Sequence, residues 1–256
     1  MDCTGAGTTD LGADWRLVDG VATAWFDAPS LIEGAALAGR IAKLPTETVI
    51  DVRATGARVR LDSAEHAEAV STAARDLGLA ANPAVLQQLS VVFESADPPA
   101  VGRFWQRVLD YAPGQDGGLV DPLRRDPTAA ARDLGAIPDP GLPRFAQLLL
   151  DAVDVGAVRA FWSAALGHTH DRRAGVTDIH DPRRLNPVLV FQQLDASETQ
   201  RRRQRNRIHV ELAVPSDIAR ERLATAVAAG GRLLDESADR WRIADPEGNE
   251  IVIAFG

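Results

Sequence analysis

The segment Arg207-Ile208-His209-Val210-Glu211 places an imidazole and a carboxylate two residues apart. Residues two apart on a strand share a face, so His209 and Glu211 can meet one ligand together. Imidazole titrates near neutral pH, and a nearby carboxylate is a usual partner for it in proton transfer, so the pair suits acid–base chemistry. The imidazole is also a good ligand for zinc, nickel or iron. The plain structural role for His209 is a hydrogen bond to Glu211 or to a backbone group. Trp241, on a later strand, is the aromatic side chain best suited to face a ligand. The pairs Phe104-Trp105 and Phe161-Trp162 are less suited: adjacent helical positions point about 100° apart, and large aromatics at helical spacing pack into cores. His170 and His180 flank a loop and read as surface residues. The sequence has no glycine-rich phosphate loop, no Ser-His-Asp order and no cysteine motif.

Three stretches must position these groups. In the first, Asp19-Gly20 is a two-residue hairpin signal between the strands Trp15-Arg16-Leu17-Val18 and Val21-Ala22-Thr23-Ala24-Trp25-Phe26. Ser30 and Glu33 form a capping box before Ile32, Leu37, Ile41 and Leu44. Residues 49–52 and 58–61 read as a second strand pair. Ser63 caps a second helix, which Gly78 stops. The order ββαββα predicts a small α+β domain over residues 13–82, after a disordered start at 1–12. Ala80-Ala81-Asn82-Pro83 reads as the linker.

An internal repeat follows. Val91-Val92-Phe93-Glu94-Ser95-Ala96-Asp97 leads to Phe104-Trp105 as Leu148-Leu149-Leu150-Asp151-Ala152-Val153-Asp154 leads to Phe161-Trp162, at one constant spacing. In each copy a strand precedes an aspartate N-cap and a helix. Asp121-Pro122-Leu123-Arg124-Arg125 likewise parallels Asp181-Pro182-Arg183-Arg184. The second copy is completed by a strand at 188–192, whereas the first runs into a helix-like stretch at 128–136 and a proline-rich one at 137–143. Residues 84–140 therefore read as a truncated βαβββ unit. The last stretch repeats the order in full. It has a strand at 208–214, a helix capped by Ser216 and ended by Gly230-Gly231, then three strands, the last entered through Asp245-Pro246-Glu247-Gly248-Asn249. Two complete βαβββ units in tandem, residues 144–256, can enclose a ligand cleft.

The Asp-x6-Phe-Trp helix, Arg207-Ile208-His209-Val210-Glu211 and Asp245-Pro246-Glu247-Gly248-Asn249-Glu250 together resemble the glyoxalase-like branch of the vicinal oxygen chelate superfamily, which includes bleomycin-resistance proteins. Metal-dependent members take up to four ligands, from the first and last strands of each unit. The resemblance puts Gln147 and His209 at the first-strand places. It puts Val252 where a carboxylate is usual, with Glu250 two residues earlier on the same face, and it puts Val190 and Gln192 near the remaining place, with no acid. One imidazole and one amide make a poor divalent site, so a divalent metal is disfavoured and no cofactor is assigned. Gln147, Gln192, Trp241 and Glu250 are then the expected ligand contacts, with His209 and Glu211 as the expected catalytic pair.

The first stretch is similar to pterin carbinolamine dehydratases, through Val59-Arg60-Leu61-Asp62-Ser63 and Leu79-Ala80-Ala81-Asn82-Pro83. That family's histidines fall at Thr46-Glu47-Thr48 and Ala64, and His66 is out of register. The resemblance thus implies a dehydratase fold without its proton-transferring imidazoles.

Composition narrows the partners. The chain has 256 residues and a net charge of −8, which disfavours general nucleic-acid binding. Its one concentrated basic run, residues 201–207, reads as a solvated connector. No run of roughly 18 apolar residues and no signal-like start appear, and the single Cys3 forbids an intrachain disulfide. A cytoplasmic protein is expected. Three functions fit: a small-molecule-binding glyoxalase-like protein without a complete metal site, a metal-dependent lyase or dioxygenase-type enzyme, and a pseudoenzyme with an assembly or regulatory role. The exposed edge of the truncated unit calls for a cover, either the N-terminal domain or a second subunit in a homodimer.

Overall fold

The computed structural model describes residues 11–46, 48–94, 96–109, 112–113, 119–120, 147–202 and 208–255. The polar start at 1–10, Glu47, the stretch 121–146 and the centre of the arginine run at 203–207 lie outside the described residues. The chain divides into two compact units, Met1–Leu86 and Gln87–Gly256.

The first unit has the element order read from the sequence: β1 (Arg16–Val18), β2 (Val21–Asp27), α1 (Leu31–Ile41), β3 (Thr48–Arg53), β4 (Gly56–Leu61) and α2 (Ala67–Asp76). Asp19 and Gly20 both take positive φ, 51° and 72°, the backbone that a tight two-residue hairpin requires. The Ser30 hydroxyl accepts from the Ile32 N–H at 3.1 Å and also meets the Glu33 carboxylate, so the capping residues start α1. The strand order is β1-β2-β4-β3. Ala22, Ala24, Phe26, Val59 and Leu61 share a core with Leu37 and Ile41 of α1 and Val70 and Ala74 of α2. The presumed linker is part of the sheet: Ala80–Ala81 forms β5 and pairs with Phe26 and Asp27. Short apolar residues can complete an open strand edge, which a reading of linker composition overlooks. On the other side of β4, Arg58 Nη2 meets Asp51 Oδ2 at 2.5 Å, with both groups buried.

The second unit contains two complete βαβββ modules. The first is β9 (Gln147–Ala152), α4 (Val155–Leu166), β10 (Thr169–His170), β11 (Ile179–His180) and β12 (Val188–Gln193). The second is β13 (Ile208–Val214), α6 (Ser216–Ala228), β14 (Arg232–Glu236), β15 (Arg240–Ala244) and β16 (Glu250–Phe255), after the short helix α5 (Thr199–Arg202). In each module the first and last strands run side by side in parallel, β9 with β12 and β13 with β16. Pro215 takes the cap position of α6 and no side chain caps it, so Ser216 is the first helical residue rather than the cap.

The partial copy supplies β6 (Gln88–Phe93), α3 (Pro98–Leu109) and the two-residue strands β7 (Ala112–Pro113) and β8 (Leu119–Val120). Its cap is that of the complete copy: Asp97 accepts from the Ala100 N–H and Asp154 from the Ala157 N–H, each at 3.0 Å. Its strand is covered within the second unit. β6 pairs antiparallel with β13 over six residue pairs, and Leu89 and Val91 join the core of the two complete modules.

That core also takes the aromatic pair of α4. Phe161 and Trp162 are both buried and meet edge to face with centroids 5.7 Å apart. Gly231 makes room for Phe161, because a Cβ there would stand 2.5 Å from the Phe161 ring. The counterpart Phe104 is 58% exposed, so the two copies use the aromatic position differently. Aspartates organise the turns before β12 and β16. Asp245 accepts from the N–H groups of Glu247 and Asn249 and from the Asn249 amide, and Asp181 does the same for Arg183, Leu185 and Asn186.

Candidate functional site

Pairing and alternation sort the sheet β14-β15-β16-β13-β6 into two faces. Leu89, Val91, Val210, Leu212, Ile251, Ile253, Trp241 and Ile243 lie on the core face. The opposite, outer face is set by Glu211, which is paired with Ser90 on one side and Val252 on the other, and Val252 is paired in turn with Arg242. His209, Glu211, Glu250, Arg240 and Arg242 all belong to this outer face.

His209 lies opposite Val92 of β6, one residue before the pair Val210–Ile251, as Glu250 is on β16. Among the described residues it meets the carboxylate of Glu94, just past the end of β6: Nδ1 is 3.3 Å from Glu94 Oε1. The alignment falls short of a hydrogen bond, and Nδ1 is buried without one. The His209 side chain is 14% exposed. No hydrogen bond holds Nε2 among the described residues. Two further pairs on this face are longer. Arg240 Nη1 is 3.9 Å from Glu211 Oε1 and Arg242 Nη1 is 3.7 Å from Glu250 Oε2, beyond hydrogen-bond reach. Arg240 also donates to Asp239, Nη2 to Oδ2 at 3.4 Å.

The expected partner of His209 was Glu211 or the backbone, and the structure supplies Glu94 instead. Glu94 holds in the partial repeat the place that Asp151 holds in the complete one, which was the available signal. Trp241 needs a firmer correction. It is 3% exposed and stacks on Phe255 at 4.2 Å on the core face, away from Arg240 and Arg242 beside it. Alternation along Arg240-Trp241-Arg242-Ile243 leaves it no other face. Gln147 and Gln192 are exposed on the outer side of the first module, at opposite ends of the β9–β12 ladder, with Gln147 beside Val188 and Gln192 beside Asp151. Glu211 and Glu250 are on the same face as His209. His170 is exposed as expected, and the half-buried His180 meets the Thr169 hydroxyl at 3.1 Å.

A metal of the kind the resemblance implies does not fit these residues. Val252 offers no donor at the last-strand place, and Gln147 is on the other module's sheet. No three His, Cys, Asp or Glu groups gather to hold an ion among the described residues.

The turn of the second module has a structural task. Asp245 Oδ2 accepts the Trp162 indole N–H at 3.0 Å, and the Glu247 carboxylate accepts the backbone N–H groups of Val153 and Asp154 at 3.0 and 2.5 Å. One module's last turn thus caps the other module's helix.

Residues 147–254 match the family model of the glyoxalase-like domain. This part of the chain is a glyoxalase-like domain. Among solved structures, a glyoxalase/bleomycin resistance protein/dioxygenase family enzyme from Burkholderia phytofirmans PsJN is 16% identical, with 43% of this chain and 97% of that one covered and a TM-score of 0.33. A glyoxalase-related enzyme from Fulvimarina pelagi is 21% identical, covering 43% and 86%, with a TM-score of 0.30. A glyoxalase I mutant from Zea mays is 14% identical, covering 43% and 44%, with a TM-score of 0.32. No curated protein matches the chain. No helix among the described residues is long and apolar enough to cross a membrane.

Proposed function

We propose that the glyoxalase-like domain binds a small polar molecule against the outer face of its second module, through His209, and that it does so without a divalent metal. The observation that carries this reading is the His209–Glu94 contact. Among the described residues, a mostly buried imidazole has one nitrogen beside a carboxylate and no hydrogen bond on the other, on a face that also carries Glu211, Arg240, Glu250 and Arg242. In this reading Glu94 orients the ring, Nε2 contacts the ligand, and the flanking charges select polar groups on it. Gln147 and Gln192, on the other module, are secondary contacts.

The same pair supports acid–base catalysis as a second reading, with Nε2 as the proton-exchanging atom and Glu211 or Glu94 as its carboxylate. A metal-dependent lyase or dioxygenase is disfavoured by the donor set. For the first unit we propose a dehydratase-type fold that has lost its activity: Thr48 opens β3 as a buried residue, and Ala64 begins the short helical turn that ends at the half-buried His66. An assembly or regulatory role, with the chain as a cytoplasmic homodimer, is the remaining alternative.

Elemental analysis of the purified protein, paired with a thermal-shift screen of divalent metals, tests the metal-free reading. The expected result is no stoichiometric transition metal and no metal-specific rise in Tm. A metal at one per chain whose loss abolishes ligand binding would overturn it.

A further inference from the structure

Three strands of the second unit hold one place in the repeat: β6, β9 and β13 each open a module. Counted back from the caps Asp97 and Asp154, Val91 and Leu148 are equivalent. Counted back from the last strand residues Ala152 and Val214, Leu148 and Val210 are equivalent. β6 and β13 pair antiparallel with Val91 opposite Val210. Like therefore meets like across a local two-fold axis, at the edge of β13 that β16 does not use.

The same edge of β9 is open. β9 ends its sheet, with β12 on one side and no strand on the other among the described residues. Burial records the difference. Val210 and Leu212, flanked on both sides, are 6% and 0% exposed, whereas the equivalent Leu148 and Leu150 are only half-buried against the same core. On the outer face, Leu149 is 56% exposed. The run Gln147-Leu148-Leu149-Leu150 carries no charge, proline or bulge, the devices that keep an edge strand from pairing.

We propose that β9 pairs antiparallel with β9 of a second copy of this chain, about a two-fold axis through Leu148. This gives the homodimer named above as an alternative its interface, and it is independent of the His209 reading. The register of β6 on β13 is reproduced: Leu148 faces Leu148, and Gln147 faces Leu149, across the axis. A second copy is the fitting occupant because equivalent strands already pair this way within the chain. β13, with β6 and β16 on its two sides, has no edge left for β9. A contact of like edges about a two-fold axis closes at two copies. Leu149 of the second copy then stands beside Gln147, so the secondary ligand contact on this face takes a neighbour from the other chain.

The test is sedimentation-velocity ultracentrifugation of the full chain from about 1 to 200 µM, for wild type, L149K, L149E and an equimolar mixture of the two variants. A pair of six-residue strands is a small interface, so a reversible dimer with a dissociation constant on the order of micromolar is expected. The axis brings the two Leu149 side chains to diagonal positions about 7 Å apart, within reach of long side chains. Each variant alone is therefore expected to weaken dimerisation by about tenfold or more, and the mixture to recover to within about threefold of wild type. Leu149 is exposed, so both variants are expected to fold, and the concentration dependence of wild type is read without them. A monomer at every concentration would overturn the proposal and the homodimer together. A dimer that L149K and L149E leave unchanged, or that their mixture fails to restore, would overturn the β9 interface and leave a homodimer by another surface.

Discussion

His209 of β13 and Glu94, at the end of β6, meet at 3.3 Å because the strand of a partial repeat has paired with the first strand of a complete module. The proposed binding face thus depends on a strand that the module's own sequence does not contain. Replacing Glu94 by Gln keeps the shape and removes the charge. The account expects an unfolding free energy within about 0.5 kcal/mol of wild type, as for most surface changes, and a several-fold loss of ligand affinity. Urea unfolding and a binding isotherm check the two halves.

Asp245 accepts four hydrogen bonds, from Trp162, from the Glu247 and Asn249 N–H groups and from the Asn249 side chain. Asp245→Ala leaves buried donors without partners, at a cost of about 1–3 kcal/mol for each group that water cannot reach. We expect a loss of at least about 2 kcal/mol in the unfolding of the glyoxalase-like domain, followed by Trp fluorescence in urea.

Much of this organisation was legible in the sequence. The hairpin at Asp19-Gly20, the caps at Ser30, Asp97 and Asp154 and the turn at Asp245 are local devices, and each residue type carries its own geometry. Long-range partner choice was not legible. Nothing local to Val91-Val92-Phe93 says that it pairs with β13, and so the neighbour of His209 was missed. Trp241 was misplaced for a different reason: the alternation of Arg240 and Arg242 about it already assigned it to the core, but its chemistry invited a ligand. His168 and Arg222 escaped notice because their burial comes from the packing of α4 on α6, which no motif records.

His168 gives stability a pH dependence of definite sign. Burial lowers its pKa below the ordinary 6.5, against the charge of Asp181 and the carbonyls of Leu166 and Pro187 and with help from Arg222. Between the depressed folded value and 6.5 the unfolded chain binds the extra proton. Stability is therefore full above pH 6.5 and falls as the pH drops through it. The wild type should lose on the order of 1 kcal/mol per pH unit in that window relative to H168Q, whose slope is flatter. Urea midpoints at pH 5 to 8 provide the comparison.

In the first unit, Asp51 is held by Arg58 at 2.5 Å, with Arg53 and Arg60 at 3.6 and 3.7 Å. Asp51→Ala strands a buried guanidinium, and a loss of about 3–5 kcal/mol is expected, in line with other broken buried pairs. Replacing both Asp51 and Arg58 by apolar residues should recover part of it. A thermal melt of the double variant no higher than that of D51A would count against this assignment.

The most direct test of the central claim is a ligand-observed NMR screen of polar fragments against wild type and H209A, each in excess chelator. The account predicts fragments that bind wild type with the chelator present and lose at least about tenfold in affinity, roughly 1.4 kcal/mol, in H209A. Fragments that bind both proteins equally, or that release when the chelator is added, would contradict it.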